Sequence, residues 1–206
     1  MIKTTIILSI LQVIILFILP IYLLYKKIIP FKYRLHTIFG IGLLVGIIIF
    51  LENWSFSDLG FTLDAFGSHI IPYLAFTTLI SLGIVYLSNN VLKRDHYIHY
   101  WSTKKMHILI LIPLCFIQEL LFRGFLIPKL EIFISSFFFV ALIDAILFML
   151  MHIIYSVKFI DLLFVFIEGF LLAMIYIFYP NLLLITLAHS AHNYIAVFYK
   201  YFIIEN

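Results

Sequence analysis

Seven stretches of this chain are apolar enough to leave water: residues 4–25, 36–53, 69–89, 106–124, 134–155, 159–179 and 181–200. A helix that crosses a hydrocarbon core of about 30 Å needs roughly 20 apolar residues. These runs therefore predict an all-α membrane protein, a bundle of about seven transmembrane helices. Composition agrees: the 206 residues are 65% hydrophobic and 11% charged, against about 45–50% and about 25% in globular domains. That leaves no room for a sizeable soluble domain, and residues 1–206 read as a single integral membrane domain. Mean hydropathy is +1.19. The first run is too long in its apolar part for a signal peptide and no small-residue cleavage site follows, so it reads as a retained helix. One cysteine, Cys115, excludes an intrachain disulfide. There is no internal repeat, Walker loop or dinucleotide fingerprint, and nothing points to nucleic acid.

Charge sets the orientation. Lys26, Lys27, Lys32 and Arg34 fall in the first loop, and Lys93, Arg94, Lys104 and Lys105 in the third. Lys158 and Lys200 share that side if seven spans alternate. The second loop has only Asp58 and Asp64, and Lys3 and Lys129 fall on the other side. Basic loops stay in the cytoplasm, which puts the N-terminus out and the C-terminus in. The short, acidic "SFSDLGFTLDAF" of the second loop is expected at the interface. Gly42 and Gly46 form a GxxxG in span two, read as a close helix contact.

Ionisable groups inside membrane spans are costly, and they face a cavity or a partner. Here Glu119, Arg123, Asp144, His152, Asp161, Glu168, His189, His192 and Asn193 all sit in the last four spans. Glu119 and Arg123 lie at i,i+4 on one helical face, the spacing of a charge pair. Alone, that pair reads equally as a structural lock between helices. Phe148 and His152 are one turn apart. His189 and Asn193 are again i,i+4, with His192 at i+3. Two neutral donors on one face suit a developing oxyanion, while interhelical hydrogen bonding is the plainer alternative. Together, an acid, two histidines and an amide on three helices are the parts for activating water and holding a tetrahedral intermediate. No HExxH is present, which excludes a zincin-type site.

"QELLFRG", "FMLMH" and "HSAHN" resemble the three motifs, EExxxR, FxxxH and HxxxN/D, of the CPBP family. These are the CAAX prenyl protease and bacteriocin-processing (Abi-type) intramembrane proteases. "DLGF" at 58–61 resembles an upstream element of that family, so the resemblance spans roughly residues 55–200. It implies a site of Glu119, Arg123, His152, His189 and Asn193. His152 would help hold or activate a water, and His189 and Asn193 would bind the oxyanion. It also implies a possible divalent metal, with Glu119, His152 and His189 as candidate ligands. The residues themselves offer few soft or imidazole donors for a tightly held zinc.

One position departs. Gln118 stands where the family's first motif has the glutamate that would be the general base, and an amide cannot accept that proton. Glu119 or Asp144 would have to substitute, or the chain binds without turnover. The leading expectation is an intramembrane endopeptidase, multi-pass in a bacterial cell membrane, acting on a peptide or membrane-protein substrate. The alternatives are a catalytically impaired member acting in bacteriocin immunity or as a scaffold, and a small proton-coupled transporter. A shared site also faces a difficulty of depth. With span four ending at 124, Glu119 and His152 would differ by roughly 10 Å. Bends at Pro113 or Pro128, or a fifth span starting after 134, would relieve it.

Overall fold

The computed structural model describes residues 2–62, 66–94, 109–153 and 158–199. Among them there are seven long helical segments and no strand. Helix α1 runs without a break through Ile2–Val13, Ile14–Ile18 and Leu19–Tyr25, and α2 is Arg34–Leu51. Helix α3 is Phe66–Tyr86, prolonged by the π-helical turn Leu87–Val91. Helix α4 joins Leu111–Glu119, Leu120–Leu126 and Ile127–Glu131. Helices α5, α6 and α7 are Phe137–His152, Phe159–Phe178 and Leu182–Phe198.

Burial is inverted relative to a water-soluble bundle. Phe50, Phe159 and Leu43 are 80%, 78% and 69% exposed, whereas Glu119, Arg123 and Asp144 are all at 0%. Apolar surface on that scale has no place in water. Lipid accepts it, and polar groups then turn inward, where partners can satisfy them. Four helices, Thr5–Tyr25, Phe66–Val91, Leu111–Glu131 and Phe159–Phe178, are long and apolar enough to cross a membrane. The other three, His36–Leu51, Phe137–His152 and Leu182–Phe198, are apolar but shorter. The protein is a multi-pass, all-helical membrane protein.

Helix α4 is the central element: 61% of its spanning window is buried, against 6% for α3. Helix α7 packs along α3 and α4, and α5 packs along α6. The fourth span does not end at residue 124 but continues to Glu131. Its middle, Leu120–Leu126, is π-helical and runs directly into Pro128. Proline lacks an N–H and its ring crowds the carbonyl four residues earlier, and the wider π turn relieves both problems. The same device precedes Pro20, where Ile14–Ile18 is π-helical. Pro113 sits in the first turn of α4, where its missing N–H costs nothing.

Prolonging α4 buries Lys129 to 3% exposure. Its ammonium bonds to Glu52, at the end of α2, and lies over the rings of Trp54 and Phe125. Glu52 also accepts from Gln12 at 2.7 Å and from the Trp54 indole at 2.9 Å. A polar knot thus ties α1, α2 and α4 at one end of the bundle. Burial favours the neutral acid, but the bonds from Gln12, Lys129 and Trp54 and the Lys129 charge hold Glu52 below the usual carboxylate range. Of the GxxxG pair, Gly42 meets α4 closely, since a Cβ there would lie 3.0 Å from the Ile117 side chain. Gly46 has nothing within 4 Å.

The 55–62 segment is a turn rather than a helix. Ser55 bonds to the Asp58 carboxylate through its amide and its hydroxyl, both at 2.7 Å, which keeps that acid below its ordinary value. The segment tucks against the α6–α7 turn. Leu182 N–H donates to the Gly60 carbonyl at 2.9 Å, and Asn181 Nδ2 to the Thr62 carbonyl at 3.0 Å. Asn181 also caps α7 by accepting from Leu184 N–H at 3.0 Å. Gly60 has φ +73°, and a Cβ there would fall 2.5 Å from the Tyr176 hydroxyl, so only glycine fits. Asp64, Lys104, Lys105 and Lys200 lie outside the described residues, as do 106–108 at the start of the expected fourth span.

Candidate active site

Helix α4 delivers Glu119 and Arg123 to the interior, one turn apart. Arg123 contacts Glu119 twice, NH1 to Oε1 and Nε to Oε2, each at 3.3 Å. Its NH2 donates to the Gly169 carbonyl at 2.9 Å and lies 3.6 Å from Asp144 Oδ2. The guanidinium also stacks 4.7 Å from the Phe148 ring centre. Gly169 makes this possible, since a Cβ there would meet Phe148 at 2.8 Å. Without a side chain, α6 comes close enough to offer its carbonyl. An enclosed guanidinium facing two carboxylates and a carbonyl is the compensated form a buried charge requires.

Glu119 has a second partner. His189 of α7 donates from Nδ1 to its Oε1 at 2.5 Å. Nδ1 therefore carries a proton and Nε2 is the other face of the ring. At Nε2, Asn193 approaches with Nδ2 at 3.0 Å, and the same amide reaches Cys115 Sγ at 3.2 Å. Carboxylate, imidazole and amide thus form one chain across α4 and α7. Thr186 and Ser190 return their hydroxyls to carbonyls one turn back on α7.

His152 closes α5 and donates from Nδ1 to the Phe148 carbonyl at 2.8 Å. Its ring lies 4.6 Å from that of Phe148, which also packs against the His189 ring at 5.5 Å. Phe148 therefore separates two histidines within one cluster. The five residues Glu119, Arg123, His152, His189 and Asn193 are brought into one neighbourhood of α4, α5 and α7. The depth difficulty disappears with the helix boundaries. Helix α4 reaches 131, which moves Glu119 toward its middle, and α5 starts only at Phe137. Gln118 is buried at 5% exposure, and Asp144 lies beside Arg123.

A divalent metal does not fit these donors. Among the described residues no group of three or more His, Cys, Asp or Glu side chains is arranged to hold one. Glu119 Oε1 is taken up by His189 and Arg123, and both His189 nitrogens are engaged. Glu119 Oε2 is the one atom of the His189–Glu119 pair left without a hydrogen bond, and a single carboxylate oxygen does not make a ligand set.

Sequence reasoning noticed Glu168 and His192 as ionisable groups inside spans but gave them no role. The structure pairs them, with His192 donating from Nδ1 to Glu168 Oε1 at 3.0 Å. The signal was available: Glu168 has only Phe164 and Leu172 at i±4, so a mid-span acid had to find its partner on another helix.

Residues 101–195, which hold every side chain of this cluster, match the family model described as Type II CAAX prenyl endopeptidase Rce1-like. No curated protein and no solved structure matches the chain. The three polar motifs meet on α4, α5 and α7 inside the matched stretch, and residues 101–195 are thus similar to Rce1-like CAAX prenyl endopeptidases.

Proposed function

We propose that the protein is an intramembrane endopeptidase of the CAAX-protease-like type, hydrolysing a peptide or a membrane-protein segment with water. The observation that supports this reading best is the chain Glu119–His189–Asn193. A buried carboxylate fixes the imidazole, and the imidazole and the amide lie 3.0 Å apart. At rest they bond to each other. A carbonyl oxygen gaining charge beside them would take the Asn193 N–H in place of that bond, and His189 would be a second donor once Nε2 carries a proton, the preorganised stabilisation acyl transfer needs. Glu119 and Arg123 act here through position: they hold His189 and do not reach the substrate. The site lies in a multi-pass domain that we place in a bacterial cell membrane, with residues 1–206 acting as one unit.

Gln118 favours a second reading, in which the same cavity binds a peptide without cutting it, as in bacteriocin immunity. The two separate in one experiment. Protein purified into liposomes is given internally quenched apolar peptides, beside a His189→Ala variant that inserts and accumulates equally. Cleavage by the wild type alone supports the peptidase. Intact peptides with both proteins, together with retained binding, support the scaffold.

A further inference from the structure

Three acids stand near the candidate oxyanion site, and only one of them borders open space. Glu119 and Asp144 are at 0% exposure, enclosed beside Arg123 at 3.3 Å and 3.6 Å. Glu168 is different. Its side chain keeps 17% of its surface, and it lines a cavity of about 200 Å³ between α3 and α6. The cavity walls are otherwise apolar, with Leu79, Gly83 and Ile84 on one side and Phe164 and Leu171 on the other. At its α6 start, Asp161 also borders the cavity, but it is bonded to Arg94. Glu168 sits nine residues into a 20-residue helix, about 14 Å from its start. A carboxylate at that depth, in an apolar cavity, has a cost that a purely structural role does not justify.

Its surroundings are those of a base. His192 holds Oε1 from the protein side, which leaves Oε2 as the outer oxygen of the carboxylate. His192 is itself 1% exposed and packed against Phe76, so it has little freedom to release Oε1. Asn193, the next residue after His192, carries the amide of the oxyanion pair. His192 thus links Glu168, at the cavity wall, to the helix that carries both donors.

We infer that Glu168 is the general base of this site, supplying what Gln118 cannot, and that His192 is its positioning residue; the inference rests on the peptidase reading above. An apolar peptide segment enters by the α3–α6 cavity with its scissile carbonyl toward His189 and Asn193. Glu168 takes one proton from water as the water oxygen bonds to the carbonyl carbon, and the C=O pair moves to oxygen. When that pair returns, the C–N bond breaks and Glu168 passes the proton to the leaving nitrogen. One water is consumed, one acid and one amine are formed, and the carboxylate ends as it began.

The test uses full-length protein in phosphatidylglycerol–phosphatidylethanolamine vesicles with a library of internally quenched apolar octapeptides. Glu168→Gln keeps the bond to His192 but cannot accept a proton. It should lower kcat by about 10²–10⁴-fold with KM and thermal midpoint unchanged. Adding Gln118→Glu to that variant should restore at least a tenfold share, which a structural role for Glu168 does not predict. His192→Asn should retain more activity than His192→Phe, the difference lying in kcat and in the acid limb of the pH profile. Cleavage by Glu168→Gln at the wild-type rate overturns the assignment and leaves the peptidase reading standing. Inert wild type with active Gln118→Glu also overturns the assignment, because no substitute base then exists. Inert wild type with inert Gln118→Glu overturns both.

Discussion

His189 reaches across from α7 to the Glu119 carboxylate of α4 at 2.5 Å, and neither side chain is more than 1% exposed. Because Glu119 is also Arg123's partner, one carboxylate holds together two of the three polar motifs. Glu119→Gln leaves the guanidinium facing fewer negative charges and replaces the charged acceptor of the His189 ring with a neutral amide oxygen. Breaking one side of a buried charged pair costs about 3–5 kcal/mol. We expect a lower unfolding midpoint in detergent together with lost function, whereas Asn193→Ala should cost function at near-normal stability. For the peptidase reading, the Asn193→Ala loss should be about 10²–10³ in kcat, measured on the same quenched peptides.

Gly169 and Gly46 make opposite predictions from the same residue type. A methyl at 169 collides with Phe148 at 2.8 Å and pushes α6 away from Arg123, which loses the Gly169 carbonyl. Gly169→Ala should therefore reduce both thermal stability and function. Gly46 faces open space, and Gly46→Ala should leave both within error, or raise stability slightly through helix propensity.

Much of this was readable beforehand, and the parts that were not share a cause. The i,i+4 spacings of Glu119–Arg123 and His189–Asn193 gave the helical faces directly, because a helix converts spacing into direction. Which helix meets which is not a local property, so the 2.5 Å bond between Glu119 and His189 could only be expected as a convergence. Helix α4 ends seven residues beyond the expected 124 because Lys129, read from the sequence as a loop charge, is buried against Glu52 at the end of α2. Hydropathy has no way to register a charge that another charge compensates. Glu168 was visible but had no role, since its partner is on α7 and its cavity is bounded by α3.

The knot around Glu52 predicts an acid-sensitive step. Glu52 is held below its ordinary value in the folded protein, so its contribution is complete above the unfolded carboxylate pKa. It is lost as pH falls through the lower folded value. Thermal midpoints should drop in the acid range below about pH 4.5, and Glu52→Gln should be less stable at neutral pH but flatter across that range. An equal acid slope in Glu52→Gln would assign the effect to other carboxylates.

Orientation can be checked at two described positions. Single cysteines at Ser57 and Lys93, in a Cys115→Ala background, should label from opposite sides with a membrane-impermeant maleimide. Ser57 is expected outside and Lys93 inside. Labelling of both from one side would refute the seven-span arrangement.

The π-helical stretch Leu120–Leu126 works as a one-residue spacer in the angular frame of the bundle. Each π turn takes up one residue more than an α turn does, so everything beyond it is delivered about 100° late. Glu119 lies before the spacer and Lys129 after it, and both find partners in the protein interior. Rewinding α4 to a plain α-helix at full length would swing Lys129 about 100° out of its pocket, where the ammonium would face hydrocarbon, whereas removing one residue as the helix rewinds would leave it on the same face. In this helix a length change is thus a rotation, and single-residue deletions between 124 and 126 should be tolerated better than single-residue insertions at the same positions.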